Sequence, residues 1–206
     1  MDAYIPDLAA RPGLLLLALA IGYLCGSIPF GVLSSKLFGL TDPRKQGSGN
    51  IGATNVLRSG HKGAAAVTLL GDALKGTIPV LVLGATAGPL PAQVAAIGAF
   101  LGHLFPVWIG FRGGKGVATY LGILFALSWP AALMACATWL VVAFTLRYSS
   151  LSALVAAALS PVWLAVAGAR GAVWVGVLLA VMIFLSHRAN IARLLRGAEP
   201  RIGKRA

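Results

Sequence analysis

Three short segments of the sequence hold most of the side chains able to handle a phosphorylated substrate. The first, TDPRKQGSGNIGATNVLRSGHKG at 41–63, combines Gly47, Gly49 and Gly52, which permit turns that present successive N–H groups to an anion, with neutral donors at Ser48, Asn50, Thr54 and Asn55. Arg44, Lys45 and Arg58 add charge, and no acidic residue follows Asp42 within the segment. The second, FRGGKGVATYLG at 111–122, sets Gly113, Gly114, Lys115 and Gly116 at the start of a short apolar run. A helix beginning there offers unpaired N–H groups and a positive partial charge, to which Lys115 adds a full one. This is not a nucleotide-hydrolase loop, because Gly116 stands where a Ser or Thr would hold magnesium. The third, SHRANIARLLRGAEPRIG at 186–203, places His187 and Asn190 three residues apart, on one helix face. A His at such a boundary accepts or donates a proton near neutral pH.

Missing residue types narrow the chemistry. Only five Asp and Glu occur, two of them in the first eight residues, so no carboxylate cluster is expected to hold magnesium or zinc. There is no His with an Asp five positions on, and no G-x-S-x-G elbow. A reaction on phosphorylated substrates without metal or cofactor is the expectation. Asp72 and Lys75, three apart in an apolar run, read as a mutual ion pair, beside a kink expected at Pro79. His103, followed by Pro106, reads as a packing or helix-end residue, and Cys25 and Cys136 read as small packing residues.

The elements that must position these segments lie in a bilayer. The chain has 206 residues, 58% apolar and 11% charged, with mean hydropathy +0.87. An ordinary soluble domain carries about 25% charged residues, and disorder requires low hydrophobicity. Apolar runs predict an all-α integral membrane bundle of seven helices, at about 14–33, 64–85, 92–109, 117–127, 130–146, 151–167 and 172–187, in a single domain over 1–206. The start lacks a basic region before its apolar run, so the first helix is expected to be retained. Seven crossings with the N-terminus outside leave 14 Lys and Arg inside against 2 outside, whereas omitting the short fourth run gives 8 and 8. The excess of positive charge on the inner side favours seven. All three chemistry-bearing segments then face the cytoplasm. The spacings Gly22/Gly26, Gly84/Gly88 and Gly98/Gly102 predict close helix approach. The basic residues are scattered over several loops, which argues against nucleic acid as a partner.

GSIPFG at 26–31, GSGNIGATNVLR at 47–58, GHLFPVWIGFRGGKGVAT at 102–119 and HRANIARLLRGAE at 187–199 resemble the bacterial acyl-phosphate:glycerol-3-phosphate acyltransferase family. The resemblance covers nearly the whole chain in the same order. It implies a seven-helix enzyme of the cytoplasmic (inner) membrane that transfers a fatty acyl group from acyl phosphate to glycerol 3-phosphate, giving lysophosphatidic acid and phosphate. It also implies a soluble enzyme that supplies acyl phosphate. By position, the family's binding residues correspond to Ser27, Arg44, Ser48, Asn50, Thr54, Asn55, Lys115, Ser150, His187 and Asn190. Two positions depart from the family's usual pattern: Ala189 replaces an acidic residue and Ser186 an arginine.

The residues suit that chemistry on their own terms. Acyl phosphate is an activated anhydride, so the task is to hold two repelling anions in attack geometry and to stabilise the departing phosphate. Arg44, Lys115 and the glycine backbones fit that task. Either His187 or a phosphate oxygen of the donor can take the hydroxyl proton. The reading leans to the phosphate, with His187 and Asn190 orienting it. A transporter for organic phosphate is the competing class and predicts a polar path to the outside, which the outer loops do not supply. A scaffold for soluble lipid enzymes would not need the glycine-rich donor loops.

Overall fold

A computed structural model describes residues 11–203; Met1–Ala10, with two of the acidic residues, and Lys204 and Arg205 of the charge count lie outside the described residues. The described residues are helical with connecting loops and form two compact units, 11–126 and 127–203.

In the first unit, α1 (Pro12–Gly26) and α2 (Phe30–Leu37) together make the first apolar run. They are separated at Ser27–Pro29, where Pro29 has no N–H to continue the ladder. A short α3 (Ala53–Leu57) precedes the long α4 (Lys62–Ala87), whose first turn is capped by His61 Nδ1 accepting from the Ala64 N–H at 3.0 Å. The helical run of α4 continues through Pro79. Then come α5 (Pro89–Leu104), a 3₁₀ turn at Val107–Ile109, and the 11-residue α6 (Val117–Leu127). The expected helix over 92–109 is thus shorter at its C-terminal end, because Pro106 cannot continue it.

The seam between α1 and α5 is built from backbone. A Cβ on Gly22 or Gly26 would overlap the main chain of Ala95 or Ala99, and one on Gly98 or Gly102 would overlap that of Leu19 or Tyr23. Two of the three expected glycine pairs therefore do let helices touch. The third does not: Gly84 has only ordinary contact with Ala92, and Gly88 ends α4 at φ +97° with open space around it. Helices α4 and α6 also meet closely. Gly122 faces the Ala73 carbonyl, and Thr77 Oγ1 donates to the Gly122 carbonyl at 2.9 Å.

The second unit contains α7 (Trp129–Leu146), α8 (Ser149–Val166), α9 (Val173–Ser186) and α10 (Arg188–Leu195). Arg147, at φ +62°, makes the tight turn between α7 and α8. The expected straight continuation of the last span past His187 is not found, since α10 leaves α9 at 64°. His187 is the bend residue; its N–H still closes the last turn of α9 while its carbonyl accepts from Ile191 in α10.

Among the described residues, five helical stretches are long and apolar enough to cross a membrane, or six when the bent α9–α10 pair counts as one. The first is Pro12–Leu37 taken across its break, and Val117–Leu127 is shorter than a span.

Candidate functional site

The first loop is organised by two side chains. Asp42 caps a 3₁₀ turn at Pro43–Lys45: its Oδ1 accepts from the Arg44 N–H at 2.9 Å, and its carboxylate takes the Arg44 guanidinium through Nη2 at 2.5 Å and Nε at 3.0 and 3.1 Å. The side-chain hydrogen bond from Arg44 outweighs partial burial and holds the Asp42 carboxyl below its ordinary range, while Arg44 is raised in turn. Arg44 remains 41% exposed. Asn55 is the second organiser. Buried, it donates through Nδ2 to the carbonyls of Pro43 (2.8 Å), Asn50 (2.8 Å) and Gln46 (3.2 Å) and accepts through Oδ1 from the Ser48 N–H at 3.0 Å.

That arrangement corrects the sequence reading of this loop. The N–H groups of Ser48, Gly49 and Gly52 are taken by Asn55, the Gln46 carbonyl and Asn50 Oδ1, so they bind the loop to itself and do not form an open nest for an anion. Asn55 likewise spends its amide on the main chain. The cause is general: a loop that buries part of its backbone must satisfy it. Gly47 and Gly49 do adopt positive φ, +54° and +70°, as their turns require. Arg44, Ser48 and Thr54 are the exposed members of the predicted set, and Asn50 is half-buried.

Ser27 is fully buried in the break between α1 and α2. Its hydroxyl donates to the Leu24 carbonyl and accepts from Trp108 Nε1, each at 2.8 Å. It joins the helix break to the turn before the glycine loop.

The glycine loop docks on the end of α5. Gly113 and Gly114 donate their N–H groups to the carbonyls of Leu104 (3.1 Å) and His103 (3.2 Å), which satisfies helix-end acceptors but removes these two amides from the expected phosphate cradle. A Cβ at either residue would overlap α5: at Gly113 the His103 carbonyl, at Gly114 the His103 ring. Gly116, at φ +82°, lies against the Phe100 ring and turns the chain into α6, where its carbonyl accepts from Tyr120 at 2.7 Å. Lys115 is half-buried at that turn. Close packing requires glycine at all three positions.

In the second unit a carboxylate gathers the predicted residues. Glu199 Oε1 accepts from Ser150 Oγ at 2.7 Å and Asn190 Nδ2 at 2.6 Å, and Oε2 accepts from Arg193 Nε at 2.7 Å. Burial raises the Glu199 pKa, yet these three bonds and the Arg193 charge leave it below the ordinary Glu range. An ionised carboxylate only accepts, so Asn190 must turn Nδ2 toward it, and this leaves Asn190 Oδ1 a buried acceptor with no partner. The strap carrying Glu199 is tied down by the Ile202 N–H to the Arg147 carbonyl (2.7 Å), Arg147 Nη2 to the Ile202 carbonyl (2.8 Å) and Arg201 Nε to Tyr148 Oη (3.1 Å). His187 is buried, with Nδ1 2.8 Å from the Ile183 carbonyl and 3.2 Å from Ser186 Oγ. A carbonyl cannot donate, so Nδ1 carries a proton, and in the neutral ring Nε2 is the basic nitrogen. Ser186, where the family's pattern has Arg, thus shares in holding the ring.

A family model described as glycerol-3-phosphate acyltransferase matches residues 16–197. The chain belongs to this family. The acyltransferase is 56% identical over 200 residues, covering 96% of this chain and 95% of the relative, to the glycerol-3-phosphate acyltransferase of Cereibacter sphaeroides. It is 58% identical over 189 residues (92% and 96%) to that of Mesorhizobium japonicum. Among solved structures it resembles PlsY (YgiH), an integral membrane glycerol 3-phosphate acyltransferase, in its glycerol 3-phosphate form, with TM-score 0.86, 40% identity and coverage of 92% and 96%. The lysophosphatidic acid form matches at TM-score 0.85, 38% identity and coverage of 92% and 95%. The chain is an integral membrane acyltransferase of all-helical fold.

Within the acyltransferase, Ser150 and Asn190 are brought together by Glu199, and Arg44, Ser48 and Asn50 lie on the loop that leads into α3, which carries Thr54 and Asn55. Asp42, Glu199 and Trp108 organise these segments without belonging to the expected set. The available signal for the two carboxylates was their scarcity: with five in the chain, each acidic residue beside a basic one is a candidate organiser. Among the described residues, no three His, Cys, Asp or Glu side chains gather at one point.

Proposed function

We propose that the chain, acting as one acyltransferase domain over 1–206, transfers a fatty acyl group from acyl phosphate to the 1-hydroxyl of glycerol 3-phosphate. The products are lysophosphatidic acid and phosphate, in phospholipid synthesis. The observation that carries the reading is the family match over 16–197, which spans the first two basic segments and the third as far as Gly197. The hydroxyl oxygen attacks the acyl carbon, the bond from that carbon to the phosphate oxygen breaks, and the hydroxyl proton passes to the departing phosphate. Arg44 and Lys115 supply the cations that hold the phosphates against their mutual repulsion, with Lys115 aided by the N-terminal dipole of α6. Ser48, Asn50 and Thr54 offer neutral contacts. His187 and Asn190 orient the donor phosphate that takes the hydroxyl proton. Ser27, Asn55, Ser150, Gly113, Gly114 and Gly116 serve by holding these residues in place. No metal, cofactor or nucleic acid takes part in this scheme, and a soluble enzyme supplies the acyl phosphate.

The membrane placement belongs to the same proposal. Seven helices cross the bacterial inner membrane, α6 among them, with the N-terminus outside and the C-terminus cytoplasmic; the 14-to-2 distribution of basic residues supports this. The test of function is an assay of purified protein with glycerol 3-phosphate and, in parallel, acyl phosphate, acyl-CoA and acyl carrier protein as donors. Turnover with acyl phosphate alone, surviving excess chelator, is the expected result. Turnover with acyl-CoA but not acyl phosphate would refute the donor.

A further inference from the structure

His103 lies beneath the glycine loop and is 2% exposed. Its Nδ1 is 3.0 Å from Thr119 Oγ1, in the first turn of α6, and 3.7 Å from Asp72 Oδ1 in α4. Asp72 pairs with Lys75 at 2.7 Å, and the Lys75 ammonium also donates to the Ile28 carbonyl at 2.8 Å, in the break between α1 and α2. The other ring nitrogen, Nε2, is buried and has no hydrogen-bond partner. It lies against Gly114, where a Cβ would overlap it.

A buried ring nitrogen with no partner is unfavourable and calls for a reason. Packing alone does not require an imidazole there, since an apolar ring would fill the space without orphaning a polar atom. The imidazole does what an apolar ring cannot: one edge hydrogen-bonds the helix that follows the loop, while the opposite edge supports the loop at the residue before Lys115. The main chain adds a second tie, because the His103 carbonyl accepts the Gly114 N–H at 3.2 Å.

We propose that His103 is a positioning residue that fixes the Gly113–Lys115 backbone against the start of α6, and so sets where the Lys115 ammonium meets a substrate phosphate. Gly114 and the His103 ring are two halves of one contact. Through Asp72 and Lys75 the same contact extends to the break after α1, so the buried ion pair serves the loop as well as the helix it sits in. The inference rests on the reading of Lys115 as a phosphate ligand.

The experiment is a pairwise cycle on purified protein assayed with acyl phosphate and glycerol 3-phosphate. His103→Asn keeps a polar group near the Nδ1 position but empties the space under Gly114. It should raise KM for at least one phosphorylated substrate by about tenfold with kcat within about threefold, as displacement of a binding group does. His103→Gln, whose amide reaches the Nε2 position, should recover part of the loss. Gly114→Ala should be defective alone, and Gly114→Ala combined with His103→Asn should be no worse than His103→Asn, because the shorter side chain makes room for the new methyl. Should Gly114→Ala fail to accumulate, accumulation of the double variant is the same rescue. Defects that multiply in the double variant, loss of both proteins, or a wild-type KM in His103→Asn would overturn the inference. Lys115→Ala separates the two levels. Full activity there removes the underlying reading, whereas an inactive Lys115→Ala beside a normal His103→Asn removes only the role of His103.

Discussion

Replacing Glu199 by Gln removes one charge and changes one oxygen to an NH₂ group, with little change in shape. The amide oxygen still accepts from Ser150 and Asn190, but hydrogen bonds to a charged group are worth about 1.5–3 kcal/mol and neutral ones about half. The two buried bonds together then lose roughly 1.5–3 kcal/mol. On the other side a new donor meets Arg193 Nε. That side chain is 38% exposed, so its lost ion pair adds no more than about 1 kcal/mol. A total of about 1.5–4 kcal/mol raises the opening constant of the strap by roughly 12- to 700-fold at 1.4 kcal/mol per tenfold. Cleavage after Arg201 reads this opening directly. Trypsin can engage the Arg201–Ile202 bond only once Ile202 leaves its two backbone bonds with Arg147 and Arg201 leaves Tyr148. When reclosing is fast, the cleavage rate follows the open population. Limited proteolysis in detergent, followed by the mass of the released tail, should show at least a tenfold faster cut in Glu199→Gln. Cleavage within threefold of the parent protein would refute the clamp. The pH dependence has a definite sign. Because the Glu199 pKa is lowered on folding, its contribution is full above the ordinary Glu range and fades as pH falls through the lower folded value. The parent strap should therefore stay closed at pH 5.

Four further outcomes are expected. Lys115→Ala should lose most activity and Lys115→Arg should recover little, since a planar fork does not replace a compact ammonium at a packed turn; full activity in either variant returns the loop to a purely topological role. His187→Asn should retain measurable turnover with a higher KM for glycerol 3-phosphate and an unchanged acidic limb in the pH profile, whereas normal binding with no turnover at any pH would make His187 the base. Gly26→Val should cost at least about 1–3 kcal/mol by overpacking the α1–α5 seam, read as a drop in Tm, and a parental Tm would contradict the contact at Ala99. In a cysteine-free background, Gly60→Cys and Gly197→Cys should be shielded from an impermeant thiol reagent in intact cells while Gly88→Cys reacts; labelling of Gly197→Cys from outside means that α6 does not cross.

Much of the fold was legible because a bilayer imposes length and polarity on each element. The apolar runs gave helices over nearly the expected ranges, and the run at 117–127 coincides with α6. Helix ends were harder. The breaks at Ser27–Pro29 and His187 interrupt stretches whose hydropathy is continuous, and only the tertiary contact of Ser27 with Trp108 and the bond of the His187 ring to the Ile183 carbonyl show what the interruption accommodates. The candidate site was legible as residue types and hidden as partnerships. An asparagine that donates to a ligand and one that donates to its own loop look alike in sequence, and the loop bonds of Asn55 emerge only in the fold. Glu199 was hidden by distance along the chain: its partner Ser150 is 49 residues away, across a helix turn that only folding closes. The i,i+3 ion pair of Asp72 and Lys75 was readable because it is local, while its link to His103 crosses between helices.

The glycine seam of α1 and α5 also constrains how the protein is made. Helix α1 ends at residue 26 and α5 at residue 104, so α1 enters the bilayer well before its partner exists. At about 5–20 residues per second, it waits roughly 4–16 s for the rest of α5 to be synthesised. During that interval its narrow face, Gly22 and Gly26, is open to any other helix in the membrane. Van der Waals contact is the main attraction between helices in lipid, and it is short-ranged, so a passing helix with ordinary side chains cannot come close enough to compete. Gly98 and Gly102, spaced to receive α1, can. The seam that holds the finished protein together therefore also selects the partner for which the nascent first helix waits.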